Sequence, residues 1–412
     1  MKTERPYCNA PWLGLFFEGT RGCAPCCEWK GEVFPGTITE YRKSDYLKDF
    51  KNLMYSDKMH PNCIECETNE KVNSAIGSTR KFYNSYDLES LCAGEEVCPD
   101  SNCNSPDGIT KIVKLDFRAG NKCNMMCRMC GPQASSLIEE EAIKHGPIEY
   151  IETIGNKTTL KYVKDIDSSD VYDLDLSECN EVSILGGEPS IDLNVRKFMN
   201  HVADKFPGVK VMVTTNATNA SKKWFETLAM FCSGKGLSVV LSVDAAGPIL
   251  EYQRKSKIKW KTIKENMLNY KKVSVSHHNC YLNIQCTLTP INLITIDKWW
   301  DEFMNLDIDT HVNPVVYPTS MSLPAILPEL KEESIKWLNN WLLQFSVKSE
   351  KEDIIIANKI RTTSNIIRLL KDTEFDIEAL EKFQQQTRHL DKIRGENIIK
   401  LDDRFASMMD KK

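Results

Sequence analysis

The residues with the clearest chemical potential are Cys123, Cys127 and Cys130, in the run Cys-Asn-Met-Met-Cys-Arg-Met-Cys, which brings three sulfur donors into eight residues. A four-iron cluster needs four ligands, and cysteine is its usual donor. Three donors from one loop leave one iron open to a substrate or cofactor. Zinc also takes thiolates and closes tetrahedrally with a fourth cysteine or histidine, so a zinc site is the competing reading of the same spacing. A second group of donors lies earlier: Cys8, then Cys23, Cys26 and Cys27, then His60, Cys63 and Cys66. Cys92, Cys98 and Cys103 follow with irregular spacing and read as free thiols, while Cys179, Cys232, Cys280 and Cys286 stand alone and read as buried apolar groups.

Positioning such a loop requires a scaffold, and from about residue 111 the chain alternates strand and helix. Candidate strands are 111–117, 180–185, 209–214, 237–243, 280–288 and 310–316, with helical stretches near 133–145, 190–206, 221–232, 259–272 and 293–306. Short apolar strands alternating with amphipathic helices predict an α/β fold with a parallel sheet, doubly wound or a full or partial barrel. In such folds the loops after the strand C-termini carry the chemistry, and the cysteine triplet directly follows the first of these strands. After about residue 325, Ile335, Leu338, Leu342 and Phe345, then Ile366, Ile367 and Leu370, repeat at helical spacing and read as core contacts. The segment 83–110 is polar and turn-rich and reads as a linker or insertion, and the acidic run Asp165, Asp167, Asp170, Asp173 and Asp175 reads as a solvated face.

The balance of 53 basic against 58 acidic residues, a net charge of -5, provides no general field for nucleic acid or an anionic membrane. No run of about 18 apolar residues is long enough to span a bilayer, and the N-terminus reaches Cys8 without an apolar signal stretch. The expectation is a soluble, cytoplasmic protein. In a reducing compartment, 16 cysteines in short-spaced groups point to metal rather than to disulfides.

The Cys-x3-Cys-x2-Cys spacing resembles the signature of the radical SAM superfamily, and further motifs follow in that family's order. Gly186-Gly187-Glu188-Pro189 after the second strand resembles its glycine-glycine-glutamate motif. Two glycines let backbone approach a ligand closely, and a carboxylate can accept hydrogen bonds from the S-adenosylmethionine (SAM) ammonium. The third strand ends in Thr214-Thr215-Asn216 and the fourth in Ser242-Val243-Asp244, followed by Tyr252-Gln253-Arg254. The resemblance implies that Asn216 and Ser242 face the ribose, with Asp244 a neighbour, and that Arg254 pairs with the SAM carboxylate. Met129 stands where the family often has an aromatic residue near the adenine, and methionine is apolar and adaptable enough to pack there. The resemblance further implies a partial (β/α)6 barrel over 111–318, and a 4Fe-4S cluster on Cys123, Cys127 and Cys130. There SAM would be cleaved reductively to a 5′-deoxyadenosyl radical that modifies a substrate, with electrons from a flavodoxin or ferredoxin.

Residues 1–82 resemble the Twitch and SPASM auxiliary-cluster modules attached to many radical SAM enzymes, through Cys8 in Cys-Asn-Ala-Pro-Trp, Pro25-Cys26-Cys27 and Cys63-Ile-Glu-Cys66. The module stands before the radical core, where the family more often has it after. The implied ligands of an auxiliary iron–sulfur cluster are Cys8, Cys63 and Cys66 with Cys26 or Cys27, since neighbouring cysteines do not both point easily at one site. Cys23 and His60 are spare candidates, and a structural zinc with the same ligands competes. A fully cysteine-ligated cluster has no open iron, which favours electron transfer or a structural role. The expected organisation is thus an auxiliary module at 1–82, a linker at 83–110, the radical core at 111–318 and a helical extension at 319–412.

Because such modules are frequent in peptide-maturing members of the family, a peptide or protein is the leading substrate by analogy. A small molecule, such as a sugar, nucleotide or lipid precursor, is the alternative, and a non-catalytic zinc or iron–sulfur binding protein is the reading from another class. The acidic balance and the lack of a basic, aromatic-interleaved stripe argue against nucleic acid.

Overall fold

The computed structural model describes residues 8–19, 22–29, 31–55, 60–64, 66–67, 70, 78–86, 112–145, 169–348 and 354–411. Among these residues the strands are β1 (Gly14–Glu18), β2 (Gly22–Ala24), β3 (Lys114–Arg118), β4 (Glu181–Leu185), β5 (Lys210–Thr215), β6 (Leu237–Ser242), β7 (Cys280–Leu288) and β8 (Asp309–Pro314). The longer helices are α1 (Asp45–Tyr55), α2 (Ser136–His145), α3 (Leu193–Lys205), α4 (Lys222–Ala229), α5 (Gly247–Arg254), α6 (Trp260–Ser276), α7 (Pro328–Lys348), α8 (Ile354–Asp372) and α9 (Ile377–Arg394). The fold is α/β, and the strands expected from residue 111 onward are found as β3 to β8 with bounds shifted by up to three residues. Cys92, Cys98, Cys103, Asp165 and Asp167 lie outside the described residues, as does nearly all of the segment 83–110. Among the described residues no helix is long and apolar enough to cross a membrane.

The chain divides into two compact units, one drawn from Met1–Asn121, Thr153–Val213 and Ser233–Gly236, the other from Lys122–Glu152, Thr214–Cys232 and Leu237–Lys412. In the first unit the strand order is β2-β1-β3-β4-β5. Strands β1, β3, β4 and β5 run parallel, and β2 pairs antiparallel to β1. Sequence patterning places β1 inside the cysteine module, yet it pairs with β3 over five positions from Gly14↔Lys114 to Glu18↔Arg118. Gly-Leu-Phe-Phe-Glu is buried at every position, so it has no polar alternation to betray a strand. Trp12, Phe50, Met54, Tyr83 and Val113 form a small core beside it, against which Cys8, Cys26 and Cys63 pack. Helix α3 joins β4 to β5, with Val195, Phe198, Met199 and Val202 buried at helical spacing and Asp192 capping its start.

In the second unit β6, β7 and β8 pair in parallel in that order. Helix α6 joins β6 to β7 and buries Trp260, Ile263, Met267 and Tyr270 along one face. The single helix expected near 293–306 is instead broken into Pro290–Ile294, a 3-10 turn at Ile296–Lys298, and Trp300–Met304. Trp299 and Trp300 are both fully buried, and Trp299 takes a non-helical φ of -138° and ψ of -18° between the pieces, which interrupts the helix there. Helices α7 to α9 follow β8 in the same unit, and Thr362 of α8 donates to the Thr310 carbonyl of β8 at 2.9 Å.

Candidate metal and cofactor site

Within the second unit the cysteine loop is fixed by its own backbone. Met125 bridges Ser256, and the Ser135 hydroxyl donates to the Met125 carbonyl at 2.6 Å. The Met126 N–H donates to the carbonyls of Arg254 and Lys255 at 3.1 and 2.9 Å, and the Arg128 N–H donates to Gln253 at 2.9 Å. The C-terminal end of α5 therefore supplies a row of acceptors along which the loop lies. Cys127 is buried, while Cys123, Met129 and Cys130 are half-buried. A hydrogen bond between Cys127 and Cys130 pulls the Cys127 thiol below its ordinary value, against burial, with the Arg254 and Arg394 guanidiniums adding in the same sense. The same bond pushes Cys130 up, and the Cys123 and Cys127 charges add to it.

The strand-end residues meet this loop in two networks. Asn216 Nδ2 donates to Asn124 Oδ1 at 2.9 Å, Asn124 Nδ2 to Thr218 Oγ1 at 2.8 Å, and Thr218 Oγ1 to Asn216 Oδ1 at 2.6 Å. This closed ring ties the residue after β5 to the residue after Cys123. Asp244 is fully buried, and Arg254 donates to it from Nε at 2.6 Å and Nη2 at 2.8 Å, with Nη2 also 2.9 Å from Ser242 Oγ. The Thr287 N–H and Gln253 Nε2 donate to the same carboxylate at 2.9 and 3.2 Å. Two charge-assisted bonds hold the Arg254 cation well above its ordinary range despite burial. Ser242, Asp244 and Arg254, named separately from the sequence, thus form one cluster, and Arg254 is already anchored by its two neighbours.

Sequence reasoning missed the contribution of α9. Arg394 Nη1 donates to the Met126 carbonyl at 2.9 Å and Gln386 Nε2 to the Arg128 carbonyl at 2.7 Å. Arg128 in turn reaches Asp391 and Glu396 at 2.6 and 2.7 Å and stacks 3.8 Å above the Tyr252 ring. Only Arg128 carried a signal, as a cation placed between two cysteines of the loop.

In the first unit, Gly186 follows β4 with φ at 128°, a region that disfavours side chains, and a Cβ there would sit 3.1 Å from the Gly120 carbonyl. The Gly187 N–H donates to that same carbonyl at 3.2 Å. Glu188 is 1% exposed, and its carboxylate accepts from the Ser190 N–H at 3.0 Å, capping the short 3-10 turn that follows.

Also in the first unit, Cys8, Cys26, Cys63 and Cys66 line one cavity, together with Arg80. Burial raises the first, third and fourth thiols to about 12, 11 and 12 and Cys26 well above its ordinary value, and each is opposed or reinforced by its neighbours' charges. Arg80 lowers Cys8, Cys63 and Cys66, and its backbone N–H bonds to the Cys66 sulfur. Cys27 lies apart, beside the buried Asp116 of β3. Cys23 sits on β2 with its thiol toward the Gly36 carbonyl at 3.9 Å, and the His60 ring caps Asn62 through Nδ1 at 3.1 Å and packs 4.6 Å from Trp29. Cys179, Cys232, Cys280 and Cys286 are buried. Among the described residues no group of three or more His, Cys, Asp or Glu side chains is already drawn together as a metal cage.

No family model and no curated protein matches the chain. Among solved structures, native anSMEcpe with bound AdoMet is similar at 16% sequence identity over 57% of this chain and 61% of that one, with a TM-score of 0.38. Streptococcus suis SuiB bound to S-adenosylmethionine is similar at 15% identity over 57% and 45% of the two chains, with a TM-score of 0.33. SuiB bound to the precursor peptide SuiA matches at 14% identity over 71% and 63%, with a TM-score of 0.37. This chain therefore spans less than two thirds of each of those structures.

Proposed function

We propose that this chain is a radical SAM enzyme, with the SAM-binding cluster held by Cys123, Cys127 and Cys130 and an auxiliary iron–sulfur cluster held by Cys8, Cys26, Cys63 and Cys66. The observation that carries the reading is the second unit's loop: three thiols whose backbone is bonded in place, with a buried guanidinium, Arg254, whose charge acts on Cys127 and Cys130. That donor set suits a cluster with one iron left open. Once bound, the cluster and SAM together supply a 5′-deoxyadenosyl radical that abstracts a substrate hydrogen.

The chain's own residues bind and orient. Asp244 and Ser242 hold Arg254 so that its charge faces the sulfur donors, and the Asn216–Asn124–Thr218 ring sets the polar wall after β5 on the ribose side. In the first unit, Gly186 keeps the backbone after β4 free of a side chain, and the resemblance of the Gly-Gly-Glu run is what assigns Glu188 to the SAM ammonium. Met129 is assigned to the adenine. In the first unit, the shared cavity favours Cys26 over Cys27 as the fourth sulfur, because Cys27 faces Asp116 instead. The cavity's donor set of four thiols beside one guanidinium suits a closed cluster that passes electrons. The substrate we assign is a peptide or protein, and the electron donor a flavodoxin or ferredoxin.

Anaerobic purification followed by iron and sulfide analysis tests the metal content, with about four irons expected for each cluster. Incubation with SAM and a strong reductant should release 5′-deoxyadenosine, and Cys127→Ala should abolish that release. A fully iron-loaded protein that forms no deoxyadenosine is not this enzyme.

A further inference from the structure

We propose that helix α9 is a working part of the SAM-cluster site, and that Gln386, Asp391 and Arg394 are positioning residues that fix Cys127. This rests on the reading of the loop as an iron–sulfur and SAM site. Cys127 lies between two residues, Met126 and Arg128, whose backbone N–H and carbonyl groups are all engaged. The N–H groups of Met126 and Arg128 donate to the end of α5, at residues 253 to 255, and their carbonyls accept from Arg394 and Gln386 of α9. The central cysteine is therefore gripped from two sides by elements far apart in sequence, Gln386 lying 258 residues beyond Arg128.

The side chain of Arg128 closes the same grip. Its Nη2 reaches both Asp391 and Glu396, Tyr252 donates to Asp391 at 2.7 Å, and Lys255 reaches Glu396 at 2.8 Å. Arg394 is anchored in turn by two bonds to Glu141 of α2, at 2.9 and 2.7 Å. The Arg128 and Arg394 side chains are 0% and 3% exposed. Burying two guanidiniums is expensive, and apolar residues of like volume commonly pack two helices at least as well. A polar latch at this cost makes sense where direction matters: metal–sulfur distances tolerate shifts of only about 0.2 Å, and hydrogen bonds to both neighbours of a ligand restrict it that closely.

The test uses the full-length protein, reconstituted without oxygen, and the variants Gln386→Leu, Arg394→Gln, Arg394→Lys and Asp391→Asn. Arg404→Gln is the control, since Arg404 lies in the same C-terminal extension and the change breaks its ion pairs with Asp402, Asp297 and Glu333 without touching the loop. Two readouts are followed: the rate of iron loss to a chelator, and the change in the reduced cluster's electron paramagnetic resonance spectrum when SAM is added. The loss of one such bond is expected to speed iron release about tenfold. Gln386→Leu and Arg394→Gln should also alter the SAM-induced spectral change, Arg394→Lys should fall between them and the parent, and Arg404→Gln should match the parent. Gln386→Leu removes neutral bonds only, to the Arg128 carbonyl and from the Ser320 hydroxyl, and keeps the test open if the charge variants do not fold. Variants that hold iron at the parent rate with an unaltered SAM response overturn the proposal, as does a control that loses iron equally fast. Parent protein without any cluster overturns the underlying reading instead.

Discussion

Arg254 and Asp244 form a two-point ion pair, Nε to Oδ2 at 2.6 Å and Nη2 to Oδ1 at 2.8 Å, with side chains 8% and 0% exposed. Breaking such a pair strands one charge where water cannot reach it. Asp244→Asn keeps the shape and the bond from Thr287 but leaves the guanidinium without its counter-charge. The expected cost is roughly 3–5 kcal/mol of unfolding free energy. Chemical denaturation measures it. Replacing both partners by apolar residues of similar volume should recover much of the loss, and a double variant as unstable as the single one would show that the pair is not the unit that matters.

The two adjacent cysteines of the N-terminal module make separable predictions. Cys26 shares a cavity with Cys8, Cys63 and Cys66, whereas Cys27 sits beside Asp116. Cys26→Ala should cost about four irons per chain while the SAM cluster stays in place, and Cys27→Ala should keep the full complement. Iron and sulfide analysis of the two proteins decides it, and the reverse pattern would transfer the ligand role to Cys27.

How far this was readable beforehand depends on whether a residue's partner is local. Strands such as β5 and β6 bury every second residue, so their period shows in Val211, Val213, Leu237, Val239 and Leu241. Strand β1 buries every residue and is short, so nothing distinguishes it from the cysteine-rich segment around it. What separates Cys26 from Cys27 is likewise invisible to spacing, since only the folded chain puts Cys26 on the cavity wall and Cys27 beside Asp116. The latch on Cys127 is the extreme case. Nothing in the sequence marks Gln386, Asp391 and Arg394 as partners of the loop, and Glu141, which anchors Arg394, lies 253 residues away and is brought to it only by the fold.

Gly186 provides a backbone test. At φ 128° a side chain is strained whatever the space around it, and its Cβ would also meet the Gly120 carbonyl at 3.1 Å. Gly186→Ala is expected to lose roughly 1–3 kcal/mol. Gly208→Ala is the matched control, because a Cβ there meets nothing within 4 Å. Parallel denaturation curves should separate the two, and equal stability would mean that the turn after β4 relaxes freely.

Asn216, directly after β5, is linked to the cysteine loop through a ring in which each member both gives and accepts one bond. The direction of every bond is set by the others, so the two amides are oriented without freedom to flip. Asn216→Ala opens the ring, leaving Asn124 Oδ1 without this donor and the Thr218 hydroxyl without this acceptor in a half-buried setting. The expected penalty is about 1–3 kcal/mol, divided between stability and SAM binding. Because Asn124 directly follows Cys123, the change should also reach the cluster. Anaerobic calorimetry should show weaker SAM binding, on the order of tenfold for a 1.4 kcal/mol share of that penalty. Asn216→Asp discriminates further: it retains an acceptor for Thr218 but cannot donate to Asn124, so it should recover the Thr218 contact and still weaken SAM. If both variants bind SAM as the parent does, the end of β5 is structural and the ribose contact must come from elsewhere.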